Sequence, residues 1–227
     1  MKFLGYNKVL CLSPHPDDVE YSMSGTIIKY SDTQFDIVTL THGGVFDKTN
    51  DNSRKNEVSD FWLGVDNVSL KFGLDDSFKC MDEAAWINYI ETNYLTDHQA
   101  ILLTNEHDSH FEHRLVSSFG YALTRIKSVS LIEYMSPSTQ RMWQPNLFVD
   151  IKNQYSQKKL RLKSFVSQKN RSYFQDEQIK GFHTEFQCSK KGMTLVEQFN
   201  IKQEFKCKYH FLQNLGLSVK YLEIIVI

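Results

Sequence analysis

Two short runs of this 227-residue chain concentrate side chains that ligate metals and move protons. The first is Ser13-Pro14-His15-Pro16-Asp17-Asp18-Val19-Glu20. The second is Asn105-Glu106-His107-Asp108-Ser109-His110-Phe111-Glu112-His113, with three histidines and three acids in its last eight residues. Imidazole nitrogen and carboxylate oxygen together suit a borderline divalent ion. A His/Asp/His set with an open coordination position has the composition of a catalytic zinc centre rather than a closed structural one. Part of the first run has an ordinary explanation, because a proline at the first helical position and acids in the first turn start a helix. That covers Pro16, Asp17, Asp18 and Glu20 and leaves His15 unexplained. His98, His183 and His210 lack acidic company and read as structural. His42 lies in a loop from which it can line the same edge as the two runs.

The elements needed to position these runs are legible from periodicity. Apolar runs at 9–13, 35–41, 68–72, 100–104 and 129–134 read as strands. Helical spacing appears over 18–29, with Val19, Met23 and Ile27, and over 53–63, 82–94 and 112–126. Strands and helices alternate, which predicts an α/β fold with a parallel, right-handed βαβ sheet. Thr41-His42-Gly43-Gly44 reads as a loop. Both chemical runs directly follow a predicted strand. In open α/β sheets ligands bind outside the carboxyl ends of the strands, so both runs are expected on one edge.

Composition narrows the class. Hydrophobic residues make up 41% and charged residues 23%, with 16 Phe and 11 Tyr, an ordinary globular balance. The formal net charge of −1 gives no whole-protein field to attract nucleic acid or an acidic membrane. No apolar run is long enough to span a bilayer, and the first residues lack the apolar core of a signal peptide. The four cysteines form no C-x-x-C pair, and Cys11 sits inside an apolar run as a core residue. A cytoplasmic setting and a single domain over 1–227 are expected, with 200–227 a variable C-terminal extension.

From Ile151 to Gln175 there are seven Lys or Arg and no Asp or Glu. Tyr155, Leu162 and Val166 fall on one helical face there, so an amphipathic helix with a solvated basic face is expected. A clamp for an anionic carrier, such as a nucleotide-diphosphate sugar, is the sharper alternative. Asp75-Asp76 reads as a turn. Tyr173, Phe174, Phe182 and Phe186 read as core more than as a sugar platform.

H-P-D-D-x-E after one strand and D-x-H-x-[DE]-H after a later one resemble the PIG-L/LmbE family of metal-dependent N-acyl deacetylases. Thr41-His42-Gly43 is similar to that family's T-x-G, and Arg54 with Glu57 to its R-x-x-E. Asp150, Lys158/Lys159 and Ser167-Gln168 are similar to its V-D-I…K…S-Q, and Glu197 to its A-E-A-F. The resemblance runs from about Val9 to Phe199 and implies a Rossmann-like three-layer α/β sandwich around a mostly parallel sheet. It implies that His15, Asp18 and His113 bind Zn²⁺ (Fe²⁺ being the other divalent candidate), that Asp17 is the general base, and that His110 acts at the carbonyl oxygen. Arg54 then contacts substrate, as does His42 if it lines the edge, and Glu112 orients a histidine from behind. Phe111 replaces a common Pro, and Glu112 replaces a common Asp.

The chemistry is self-consistent. A bound zinc lowers the pKa of water from about 16 to about 7 and polarises an amide oxygen. Asp17 is then placed to take the water proton and return it to the leaving amine. The expected reaction is hydrolytic N-deacetylation of an amino sugar or its conjugate, the small-molecule partner, whose carrier sometimes bears phosphate. Alternatives are a carbohydrate- or nucleotide-sugar-binding protein without turnover, a non-haem iron enzyme on the same set of two histidines and one carboxylate, and a phosphoester hydrolase. The resemblance also leaves a homo-oligomer open, with 208–227 as an apolar strand that pairs with a neighbour.

Overall fold

The computed structural model describes residues 1–42, 53–74, 78–185, 194–203 and 225–226. Strands β1 (Lys8–Ser13), β2 (Gln34–Thr39), β3 (Val68–Phe72), β4 (Ala100–Thr104) and β5 (Ser130–Tyr134) form a parallel sheet in the order β3-β2-β1-β4-β5. β4 and β5 are buried along their whole length, as is β1 beyond Lys8. Their near-continuous apolar sequences follow from that, since a parallel sheet is covered on both faces.

Alternate residues feed two cores. Val9, Cys11, Phe35, Ile37, Ala100 and Leu102 face helices α1 (Asp18–Lys29) and α2 (Ser53–Trp62). Leu10, Leu12, Val38, Ile101, Leu103 and Leu131 face α3 (Glu83–Asn93) and α4 (Phe111–Lys127). The result is the expected three-layer α/β sandwich with a mostly parallel central sheet. The chain first builds outward, β1 to β2 to β3, then returns to the other side of β1 for β4 and β5. The direction therefore reverses between β1 and β4, and a crevice opens beyond their carboxyl ends.

The second half of the chain extends the sheet with antiparallel pairs. β8 (Thr194–Gln203) runs between β5 and β6 (Leu147–Asp150), antiparallel to both, and β7 (Thr184–Glu185) pairs with β8. Residues 200–203, expected within a C-terminal extension, are part of β8. A short strand, β9 (Ile225–Val226), pairs in parallel with β6 of the same chain.

The basic stretch is not the amphipathic helix its spacing suggested. Helix α5 covers only Tyr155–Arg161, and short 3-10 turns follow. Leu162 is buried but Val166 is 58% exposed. Lys158 is fully buried, because its ammonium donates to Glu197 Oε1 at 2.5 Å. Glu197 also accepts from the backbone N–H groups of Gly25 (2.8 Å) and Thr26 (2.6 Å), which ties α5 and β8 to α1. Gly25 makes this approach feasible, since a Cβ there would lie 2.9 Å from Ile151 and 3.0 Å from Glu197 Oε1. Arg161 donates to the Phe61 and Leu63 carbonyls, and Lys159 pairs with Asp176 at 2.8 Å. Three of the seven cations are thus engaged by the protein itself, which weakens the anionic-clamp reading.

Helix α6 (Asp176–His183) closes the first core through Ile179. His98 and His183 are buried structural residues, as expected: His98 meets Asp36 at 3.1 Å, and His183 Nδ1 donates to the Ile179 carbonyl at 2.8 Å. Among the described residues no helix is long and apolar enough to cross a membrane. Cys188, Cys207, His210, Phe186, Asp75-Asp76 and Gly43-Gly44 lie outside the described residues, as do residues 208–224.

Candidate metal and acid–base site

The turn after β1 is held from several directions. Ser13 Oγ donates to the His15 carbonyl at 2.7 Å, and the His15 N–H donates to Asp18 Oδ2 at 2.8 Å. Thr41, at the carboxyl end of β2, donates its hydroxyl and its N–H to the Pro14 carbonyl, at 3.0 and 3.2 Å. Asp17 follows with φ +107°, a left-handed backbone that a residue with a Cβ rarely adopts. Such a residue stores about 1–3 kcal/mol and persists only where its surroundings hold it. Glu20, fully buried, accepts from the Asp17 N–H at 3.2 Å and is itself anchored by Trp62 Nε1 at 2.7 Å. Arg54 donates to the Pro16 carbonyl at 2.6 Å and lies 3.3 Å from Asp17 Oδ1. Asp17 Oδ2 is buried and has no hydrogen-bond partner among the described residues.

The turn after β4 centres on Asp108, which is fully buried. Its Oδ1 accepts from the His110 N–H at 2.8 Å, and its Oδ2 accepts from His113 Nδ1 at 3.0 Å and from the Ser136 hydroxyl. Thr104 Oγ1 donates to the His113 carbonyl at 2.8 Å, and Arg114 donates to the carbonyls of Asp108 and Ser109. His113, in the first turn of α4, is therefore fixed at both its backbone and its ring.

The two turns meet across the crevice between β1 and β4. Asp18 bridges them, with Oδ2 3.2 Å from His15 Nδ1 and Oδ1 3.2 Å from His113 Nε2. Glu112 Oε2 lies 2.5 Å from His15 Nε2, so it contacts a histidine as expected. The group that orients His113, however, is Asp108, to which the sequence reading assigned no role. Candidate ligand atoms of His15, His110 and His113 all lie within 4.8 Å of one another.

Charge in this pocket is strongly coupled. Burial opposes an imidazolium at His113, yet Asp18 and Asp108 prevail and push its pKa up to about 10. His15 moves up the same way, burial being outweighed by Asp18 and Glu112. Asp18 is held well below the usual carboxylate range, again against burial, by His113 and His15. Asp17 goes the other way: burial raises it to about 7 against the pull of Arg54. Burial, helped by His113 and His15, lowers His110 and keeps it neutral. The carboxylates thus demand positive charge at the point where His15, Asp18 and His113 converge. A divalent cation meets that demand as well as protons do, and imidazole with carboxylate is a suitable donor set. The residues fit a metal.

A family model for GlcNAc-PI de-N-acetylase (PIG-L) matches residues 10–124, which span both turns. The chain belongs to this family. No curated protein matches it in sequence. Solved structures extend the picture of the PIG-L fold. An N,N'-diacetylchitobiose deacetylase from Pyrococcus horikoshii is 20% identical at TM-score 0.65, over 88% of this chain and 85% of its own. The 4-carboxy-2-hydroxymuconate hydratase GalB from Pseudomonas putida is 14% identical at TM-score 0.67, over 88% and 95%. A zinc-inhibited form of a teicoplanin deacetylase is 13% identical at TM-score 0.56, over 86% and 98%. These similarities are of fold, and the fold carries both deacetylation and hydration, so the chemistry of this PIG-L protein has to be argued from its site.

Further PIG-L-like pieces prove to be braces. Glu57 accepts from the Ser167 N–H (2.7 Å) and hydroxyl (2.6 Å), joining α2 to the turns after α5. Lys158 and Glu197 form the buried pair already described. Arg54, expected at substrate, lies against Asp17 and Pro16. His42 stands just past the end of β2, half-buried, one residue beyond the Thr41 contact to Pro14.

Proposed function

We propose that this protein is a zinc-dependent hydrolytic N-deacetylase of an N-acetylated amino sugar or its conjugate. The observation that carries the reading is the pairing of a convergent His15/Asp18/His113 set with a separate carboxylate, Asp17, buried beside it with one oxygen unengaged. His15, Asp18 and His113 would hold the metal, and such an ion polarises an amide oxygen and lowers the pKa of water. Asp17 Oδ2 takes a proton from the attacking water as the C–O bond forms. The same carboxyl then gives that proton to the amine nitrogen as the C–N bond breaks. Arg54 holds the other Asp17 oxygen and keeps the carboxylate aimed. His110, neutral, offers an N–H to the amide oxygen as it gains negative charge, a donor of the kind whose loss costs about a hundred- to a thousandfold.

Family membership and the fold shared with two deacetylases support this reading. The adjacent Asp17 favours hydrolysis over oxygen chemistry on the same ligands. The test is metal content measured beside acetate release from N-acetylated sugars, for wild type and Asp17→Ala. One ion per chain, retained in the variant while release falls about 10²–10⁴-fold, supports Asp17 as base. Loss of the metal, or undiminished release, overturns the assignment.

A further inference from the structure

Glu20 lies in the first turn of α1 and is fully buried, a rare place for a glutamate. A carboxylate taken out of water is costly unless its oxygens are engaged. Two donors engage this one from opposite sides. The Trp62 indole N–H donates to Oε1 at 2.7 Å, and the Asp17 N–H donates to Oε2 at 3.2 Å. Trp62 is the last residue of α2 and belongs to the apolar core with Val19, Val58 and Phe61. Its ring meets Phe61 edge-on, with centroids 4.8 Å apart. A phenyl ring would serve that packing equally well. The indole N–H is needed only for Glu20.

The Asp17 N–H belongs to the residue with φ +107°, and that backbone conformation sets the direction in which its side chain leaves the chain. Glu20 therefore grips the Asp17 backbone, while Arg54 lies 3.3 Å from Oδ1 of the same residue. Between them they fix where Oδ2 points. A general base acts only within hydrogen-bond reach of its proton, and a misplacement of about 1 Å costs about a hundredfold in rate.

We propose that Glu20 and Trp62 form a positioning relay for Asp17: the core indole of α2 holds one Glu20 oxygen, so that the other is turned to the Asp17 N–H and the base is aimed. The relay sets kcat without touching substrate. The inference rests on the deacetylase reading and adds to it two residues that act through Asp17.

Glutamine separates the relay from simple packing. It has one acceptor oxygen for two donors. The indole bond is the shorter, so in Glu20→Gln the oxygen stays with Trp62 and the NH2 faces the Asp17 N–H. Acetate release from N-acetylglucosamine should then show kcat about a hundredfold lower, with KM and metal content as in wild type. Trp62→Phe, which removes only the donor, should lower kcat about tenfold at unchanged KM. The double variant frees the glutamine oxygen for the Asp17 N–H, so its kcat should rise about tenfold above that of Glu20→Gln alone, a coupling that additive structural damage does not produce. Undiminished kcat in either single variant, a double variant no faster than Glu20→Gln, or metal content falling in step with kcat overturns the relay. Should Glu20→Gln fail to fold, Trp62→Phe decides alone. Hydrogen exchange of the Asp17 amide, followed by NMR, separates this from a failure of the deacetylase reading. If wild type releases no acetate, that reading falls. The relay then stands if the amide exchanges at least about tenfold faster in Trp62→Phe than in wild type, and falls if the rates are equal.

Discussion

Asp108→Asn is the substitution whose consequence the geometry specifies most closely. Asp108 is buried, and although burial raises its pKa, His113 and Ser136 hold it below the ordinary value, so it is an ionised acceptor. An ionised carboxylate accepts only, hence His113 Nδ1 keeps its proton for Asp108, and Nε2, facing Asp18, is the nitrogen that gives up its proton when a metal binds. Asparagine keeps one acceptor oxygen and replaces the other with an NH2. If the oxygen stays with the His110 N–H, the NH2 faces His113 Nδ1 and the Ser136 hydroxyl. The imidazole then has to accept at Nδ1 and carry its proton on Nε2, the nitrogen needed for the metal. Removing such an orienting partner typically costs 10–100-fold in metal affinity, about 1.4–2.7 kcal/mol. The assay is zinc affinity by competition with a chromogenic chelator, with acetate release measured at saturating metal. Ser136→Ala is the control, because it removes a hydrogen bond from the same oxygen without reversing the tautomer, and it should shift affinity less than threefold. Affinity within twofold of wild type in Asp108→Asn would refute the tautomer argument.

Other outcomes follow from the same structure. Lys158→Met leaves the buried Glu197 carboxylate unpaired and should cost about 3–5 kcal/mol, whereas Lys158→Met with Glu197→Leu should recover most of it. At about 2–4 °C per kcal/mol for a chain this size, the single variant melts roughly 6–20 °C lower, and calorimetry on the full double-mutant cycle reads the coupling. His183 should make stability fall on the acid side. Burial and the nearby Lys158 hold its pKa well below the usual value, so the folded protein binds less proton than the unfolded chain. Its contribution is complete above about pH 6.5 and is lost as pH falls below that, by at most about 1.4 kcal/mol per pH unit. Urea titrations between pH 5 and 7 should show that slope reduced in His183→Phe relative to wild type. An identical slope in the two proteins would contradict the burial argument.

Much of the framework was legible because it depends on local pattern. The helix over Asp18–Lys29 and the strands over Val68–Phe72 and Ala100–Thr104 match their periodicities end to end. The turn chemistry around His15 and His110 was also visible, since strand-end loops rich in His and Asp have few structural uses. The basic stretch misled because residue spacing shows which side chains share a helical face, but not that the helix stops at Arg161. Nor does spacing show that Lys158 turns inward to meet a carboxylate 39 residues away. Asp108 went without a role for a related reason: among three acids in one loop, only the fold shows which one is enclosed with His113 and Ser136.

By itself, then, the sequence determined the alternation of strands and helices, the two ligand-rich turns at strand ends, and the family to which they belong. Those properties follow from residue type and short-range spacing. The tertiary structure alone decided that β1 and β4 are neighbours, which puts His15 and Asp18 within reach of His113. It also decided that Asp17 is held in a left-handed conformation by Glu20 and Arg54, that Asp108 sets the tautomer of His113, and that Glu197 locks Lys158 to α1. Each depends on at least one partner far along the chain, His113 for Asp18, Arg54 for Asp17, Ser136 for Asp108 and Glu197 for Lys158 and α1, so it is complete only once the sheet order and the packing of its helices have brought them together.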